Sequence, residues 1–85
     1  MEKSLGDKIA IIGQGYVGLP LSMAFSKYFS VIGFDINPVR IEELIQGFDR
    51  TQEIESTTLT KALLENKYRA TTDVQLLREA NIYIV

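Results

Sequence analysis

The sequence predicts an α/β fold in which four parallel strands lie in the order 3-2-1-4 with flanking helices. Short apolar runs alternate with segments of helical periodicity along the chain. The first apolar run leads into a glycine-rich turn that opens a helix, and the second run ends in an acidic residue. Such alternation is typical of a parallel sheet with right-handed crossovers.

The first strand and the first helix lie on either side of the glycine-rich turn. Lys8 to Ile12 (KIAII) is almost wholly apolar, which suits a strand buried on both faces. Apolar residues recur at helical spacing from Tyr16 to Tyr28. Pro20 lies inside this pattern, where a missing backbone hydrogen bond costs least because the helix has just begun.

The second strand and the second helix follow directly. Val31 to Asp35 (VIGFD) predicts a strand, Asn37 a helix N-cap, and Pro38 the first helical position. Gly47 marks the end of this helix. Its predicted core face has the spacing i, i+3, i+4, i+7 and consists of Ile41, Leu44, Ile45 and Phe48.

The second half of the chain predicts two shorter strand and helix pairs. A polar loop, Asp49 to Thr58, whose charges are interpreted as a solvated face, precedes a short helix around Leu59 to Glu65. Tyr68 to Thr71 is the third predicted strand. Thr72 with Gln75 forms a capping-box pattern for a helix through Glu79, and Ile82 to Val85 (IYIV) is a fourth, buried strand.

Composition excludes several function classes. The net charge is −2 and basic residues are not clustered, so we expect no nucleic-acid and no membrane partner. The chain has no cysteine and no histidine, so we assign no metal site and no catalytic residue within it. The polar N-terminus lacks the apolar core of a signal peptide, and we therefore expect a cytoplasmic protein.

The chemistry-bearing pattern is G-x-G-x-x-G at Gly13, Gly15 and Gly18. Glycine at the first position permits a tight turn, at the second lets a pyrophosphate approach the backbone, and at the third lets helix and strand pack closely. Taken alone the pattern also fits a simple turn. A kinase glycine-rich loop is excluded because a helix follows, and no lysine-bearing strand does.

Asp35 indicates that the three glycines belong to a dinucleotide-binding pattern. An acidic residue at the end of the second strand accepts hydrogen bonds from the adenosine ribose and repels a 2′-phosphate. The pattern therefore predicts a partial Rossmann fold that binds NAD rather than NADP. Arg40 complicates this choice, because an arginine near the ribose can accept that phosphate. Alternatively, Arg40 flanks the adenine, or it is a solvated charge on the second helix.

Several stretches together resemble the N-terminal domain of the UDP-glucose/GDP-mannose dehydrogenase family. They are KIAIIGQGYVGLPLSMAFSK, VIGFDINPVRIEEL, RATTD and NIYIV, and GYVGLP is more specific than the generic pattern. The polar GFDRTQEI is similar to the branch acting on UDP-N-acetylhexosamines. The resemblance implies that Asp35 holds the adenosine ribose and Arg40 lies beside the adenosine. It implies that the pyrophosphate is surrounded by Gly13, Gly15, Tyr16, Val17 and Gly18.

The same resemblance implies an activity that the 85 residues cannot complete. The family oxidises the C6 alcohol of a nucleotide sugar to a carboxylate in two steps that use NAD and a cysteine, and its branch acting on UDP-N-acetylhexosamines makes the uronate for surface polysaccharide synthesis. That cysteine and the UDP-sugar site would lie beyond residue 85. We therefore expect residues 1–85 to be the N-terminal part of a Rossmann NAD-binding domain within a larger enzyme, itself a homo-oligomer.

Three alternatives remain open at this stage. The first is another NAD-dependent dehydrogenase of the Rossmann type, acting on a hydroxyacid or a hydroxyacyl-CoA. The second is a non-enzymatic NAD-sensing module, which would lack a downstream catalytic cysteine. The third is a folding or assembly unit whose open sheet edge pairs in a homodimer.

Overall fold

The computed structural model describes residues 7–85, and its centre is a four-stranded parallel sheet. The sheet order is β3-β2-β1-β4, so the predicted order and the α/β class are confirmed. Ile9 on β1 pairs with Val31 on β2 and, on the other side, with Ile82 on β4. The strands are β1 (Lys8–Ile12), β2 (Ser30–Phe34), β3 (Tyr68–Thr71) and β4 (Ile82–Ile84).

Three α-helices and one 3₁₀ helix connect the strands. They are α1 (Gly18–Ser26), α2 (Pro38–Ile45), α3 (Ser56–Leu64) and a 3₁₀ helix (Val74–Glu79). Asn37 caps α2 as predicted, because its side chain accepts hydrogen bonds from the amides of Val39 and Arg40. None of these helices has the length and the apolar character that crossing a membrane requires, as far as residues 7–85 are concerned.

Helix boundaries differ from the predictions for local reasons. α1 begins at Gly18 rather than at Tyr16, because the turn occupies the preceding residues, and α3 begins earlier than predicted, at Ser56. The last helix is a 3₁₀ helix, and its cap is Asp73, whose side chain accepts from the amide of Gln75. The predicted capping role of Thr72 is therefore wrong.

The core lies on one face of the sheet, beneath the three α-helices. Its buried members include Ile11, Leu19, Leu44 and Leu59, each 0–2% exposed. On the opposite face the 3₁₀ helix packs Leu77 and Ala80 against Ala10 and Ile32.

Two parts of the predicted core are wrong. Ile45 and Phe48 are 53% and 49% exposed. Gly47 (φ +86°) turns the chain away, since the amides of Gly47 and Phe48 donate to carbonyls of the last turn of α2, and Phe48 leaves the helix face. Ile45 lines an open groove beside the edge strand β3.

The fourth strand is not buried either. Ile82 and Tyr83 are 41% and 53% exposed, because β4 is an edge strand whose outer side is paired with none of the described elements.

Candidate functional site

The turn between β1 and α1 is shaped by Gly13 and Gly18. Gly13 has φ +95°, a conformation that side chains rarely adopt, and its amide donates to the carbonyl of Phe34 at 2.7 Å. A Cβ on Gly18 would overlap the carbonyl oxygen of Gly13. The two glycines therefore let the chain leave the strand sharply and let α1 begin against the end of β1.

Gly15 differs from Gly13 and Gly18, because the packing of the protein does not require glycine at this position. Its φ is not in the left-handed region, and a Cβ there would meet no protein atom within 4 Å. The space above its backbone is open. Glycine at this position keeps that space free for a group that approaches the main chain closely.

The N-terminus of α1 is open as well. Val17 is its N-cap and makes no capping hydrogen bond through its side chain. Within residues 7–85, the amides of Gly15, Tyr16 and Val17 have no hydrogen-bond partner, and the side chains of Tyr16 and Val17 are 69% and 77% exposed. Unpaired amides and the positive end of the helix dipole together can hold an anion such as a phosphate.

Asp35 lies just beyond β2, at the same edge of the sheet as this turn. Its carboxylate accepts from the amide of Gln14 at 2.8 Å and from the amide of Asn37 at 3.0 Å. The residue is half-buried. A carboxylate has about four acceptor positions, so Asp35 keeps capacity for hydroxyl groups of a ligand.

Gln14 is the residue of this site that the sequence analysis missed. Its side chain is completely buried, and its amide nitrogen donates to the carbonyls of Ile11 and Gly13 at 3.1 and 3.0 Å. Its amide oxygen accepts from the hydroxyls of Ser22 at 3.0 Å and Tyr68 at 2.6 Å. One side chain thus joins the glycine turn, α1 and β3.

Gly33 and Tyr68 complete this buried cluster. A Cβ on Gly33 would lie 2.6 Å from the Tyr68 hydroxyl and would collide with the Gln14 amide, so glycine makes room for both. Burial raises the pKa of the Tyr68 hydroxyl, which therefore stays a hydrogen-bond donor to Gln14. No local signal marks Gln14, since it occupies a variable position of the glycine pattern.

Arg40 is buried at the base of the site, so its interpretation as a solvated helix charge is wrong. Its Nε donates to the carbonyl of Gln14 at 2.6 Å, and its Nη1 donates to Asp49 at 2.9 Å. Its side chain is only 10% exposed, and Nη2 is buried without a hydrogen-bond partner within residues 7–85.

Asp49 also departs from the predicted solvated loop. Its side chain is 0% exposed and accepts from the amides of Thr51, Glu53 and Ile54 and from the Thr51 hydroxyl, besides Arg40. Burial alone raises the pKa of this carboxyl. The hydrogen bonds from Thr51, Ile54 and Arg40 outweigh burial and lower it from 3.8 to about 2.

A cleft of about 320 Å³ opens between the glycine turn and the end of β4, and Gly15, Val17, Leu21 and Ile84 contribute to its lining. It lies at the carboxyl ends of β1 and β4, where the strand order reverses, and ligands of open α/β sheets bind at such a point. A larger groove, of about 600 Å³, lies beside β3 and includes none of the predicted site residues.

Comparison with known proteins agrees with this geometry. Residues 7–85 match the model of the NAD binding domain of the UDP-glucose/GDP-mannose dehydrogenase family. A UDP-N-acetyl-D-glucosamine 6-dehydrogenase of Pseudomonas aeruginosa is 45% identical over 78 residues, which are 92% of this chain and 18% of that protein. The corresponding protein of Salmonella typhi is 46% identical over 79 residues, again 92% and 18% of the two chains.

Solved structures give the same result. A UDP-D-ManNAc dehydrogenase from Pyrococcus horikoshii superposes with a TM-score of 0.84 at 29% identity, covering 89% of this chain and 19% of that one. A ternary complex of GDP-mannose dehydrogenase from Pseudomonas aeruginosa gives a TM-score of 0.81 at 26% identity, covering 88% and 18%. The chain spans 18% of the length of the two curated relatives above. It belongs to the UDP-glucose/GDP-mannose dehydrogenase family, matches that family's NAD binding domain, and has NAD as its cofactor.

Proposed function

We propose that this chain is the NAD-binding portion of a dehydrogenase that oxidises the C6 alcohol of a UDP-N-acetylhexosamine. The observation that carries the proposal is the open N-terminus of α1 beside the carboxylate of Asp35. The relatives named above support the substrate class, since two act on UDP-N-acetyl-D-glucosamine by name and one on UDP-D-ManNAc. Membership of the family favours this function over a hydroxyacid or hydroxyacyl-CoA dehydrogenase.

The pyrophosphate of NAD would lie over the glycine turn. The amides of Gly15, Tyr16 and Val17 are unpaired within the described residues, and Gly15 leaves the space above them open. Gly13 and Gly18 act indirectly, by giving the turn its shape and by letting α1 begin next to the strand. Unpaired amides at a helix N-terminus, with open space above them, suit a diphosphate.

The adenosine ribose would bind at Asp35, whose carboxylate is held in place by two backbone amides. Arg40 would lie beside the adenosine, because it binds the backbone carbonyl of Gln14, whose backbone amide binds Asp35. In this proposal Arg40 supports the site through the backbone of the turn.

NAD, when bound, supplies the hydride acceptor for oxidation of the sugar alcohol. This chain's residues bind and orient it, and they contain neither the cysteine nor the histidine that could take part in the oxidation. In this proposal, those groups and the sugar site belong to other parts of the enzyme. The uronate product, the role in surface polysaccharide synthesis, the cytoplasmic location and the homo-oligomeric state stay predictions.

Asp35→Ala in the complete dehydrogenase tests the proposal. Loss of a charged hydrogen-bonding partner should weaken NAD binding by about 1–3 kcal/mol and narrow the preference for NAD over NADP. Titration calorimetry with both cofactors measures this. Asp73→Asn is the matched control, since Asp73 accepts from a backbone amide but only within the cap of the 3₁₀ helix. Unchanged NAD affinity in Asp35→Ala would remove Asp35 from the site.

A further inference from the structure

We propose that Asp49 is a positioning residue that holds Arg40 away from the 2′ position of the adenosine ribose. Asp49 would thereby act with Asp35 to favour NAD over NADP. This inference rests on the proposed function, because it concerns the same cofactor site. It assigns a role to a loop residue that lies outside the glycine pattern.

The site contains two groups with opposite preferences. Asp35 disfavours a 2′-phosphate, whereas an arginine near the ribose accepts one. The structure brings both to a single residue, since the amide of Gln14 donates to Asp35 at 2.8 Å and its carbonyl accepts from Arg40 at 2.6 Å. The guanidinium is therefore a close neighbour of the carboxylate that would bind the ribose.

Asp49 keeps the Arg40 guanidinium from binding a 2′-phosphate. Its carboxylate binds Nη1 at 2.9 Å, Gln14 occupies Nε, and Nη2 is buried. The charges of the two buried side chains compensate each other, so little positive potential remains for a phosphate.

The anchor is rigid because Asp49 is held by its own loop. The amides of Thr51, Glu53 and Ile54 donate to it at 2.8–3.0 Å, and the Thr51 hydroxyl donates at 2.6 Å. The carboxylate cannot follow the guanidinium toward a ligand without breaking these bonds. Arg40 therefore stays in place whichever cofactor is offered.

Without the Asp49 charge, Arg40 would lose its only ion-pair partner among the described residues while keeping a buried, unpartnered Nη2. A buried cation without a counter-charge is costly and moves toward an anion that it can reach. The 2′-phosphate of NADP would be that anion. The loss of Asp49 is thus expected to improve NADP binding, whereas general damage to the loop would weaken both cofactors.

The test is the ratio of NADP to NAD affinity, and of the corresponding kcat/KM values, in the complete dehydrogenase. Asp49→Asn keeps the size of the side chain and removes its charge. The NADP-to-NAD ratio should rise about tenfold, the effect of one additional charge-assisted hydrogen bond. Glu79→Gln removes a carboxylate paired with Lys8 at the amino end of β1, at the other end of that strand from the glycine turn, and should leave the ratio unchanged. An unchanged ratio in folded Asp49→Asn, or equal weakening of both cofactors, would overturn the proposal.

The double variant Asp49→Asn/Arg40→Met leaves no buried charge and identifies the group responsible. Its NADP-to-NAD ratio should equal that of the wild type, because Arg40 is already withheld there. This comparison holds even where the single variant does not fold. A ratio well below wild type would mean that Arg40 already contacts the 2′-phosphate, and a ratio about tenfold above wild type would mean that Arg40 is not the new partner; either result overturns the proposal. Absence of NAD binding by the wild type would instead refute the proposed function itself.

Discussion

Replacing the buried Gln14 by leucine should loosen the whole glycine turn. The side-chain amide of Gln14 makes four hydrogen bonds, and leucine fills a similar volume without making any of them. Tyr68 then keeps a buried hydroxyl without an acceptor, because the residue is only 2% exposed. The Ser22 hydroxyl can turn back to a carbonyl of its own helix, so its loss is smaller.

The magnitude follows from the groups left unsatisfied. A buried hydroxyl without a partner costs about 1–3 kcal/mol, and two backbone carbonyls lose a donor as well. The free energy of unfolding should therefore fall by about 3 kcal/mol. Tyr68→Phe alone should cost about 1 kcal/mol, and it should cost almost nothing in the Gln14→Leu background, since the hydroxyl has then already lost its partner.

Urea unfolding of the chain, followed by far-UV circular dichroism, measures each arm of this double-mutant cycle. Gln75→Leu is the control, because Gln75 is exposed and its substitution should stay within about 0.5 kcal/mol. Additive effects of Gln14→Leu and Tyr68→Phe would show that the 2.6 Å hydrogen bond between them stabilises nothing.

Three further outcomes are expected. The pKa of Asp49, lowered from 3.8 to about 2, contributes about 2 kcal/mol of stability above pH 4, which is lost as the pH falls toward 2. Urea unfolding midpoints measured across this pH range should show the loss, and Asp49→Asn should abolish this pH-dependent contribution. Gly18→Ala should destabilise the chain by about 3 kcal/mol, because its Cβ meets the carbonyl of Gly13, whereas Gly15→Ala should leave stability nearly unchanged; equal unfolding midpoints would contradict this. The 85-residue chain should form no NADH from NAD and a UDP-N-acetylhexosamine, since it has no cysteine and no histidine; NADH absorbance that also survives Gly15→Trp would indicate a contaminant, and absorbance that this variant abolishes would refute the expectation.

The sequence predicts those parts of the fold that local signals determine. The apolar runs, the Asn37 cap and the turn at Gly13 depend on a few adjacent residues, and all three appear where expected. The alternation of strands with helices predicts parallel strands, and their order follows from the glycine turn and Asp35, which together are typical of a Rossmann fold. Exposure is harder to predict, because Ile45 and Ile82 have the apolar character of core residues. Ile82 lies on the edge strand β4 and Ile45 lines a groove beside the edge strand β3, and what covers an edge is not encoded in these segments themselves.

The buried polar groups were not predictable for a different reason. Asp49 stands in a polar loop, and the residues that bury it are Arg40, nine positions earlier, and its own loop. Arg40 in turn is held by Gln14, 26 positions before it. A charge near a dinucleotide-binding turn therefore says little by itself about 2′-phosphate recognition. The partner of the charged group decides whether it is free to bind a phosphate. Here the fully buried carboxylate of Asp49 already pairs with the Arg40 guanidinium.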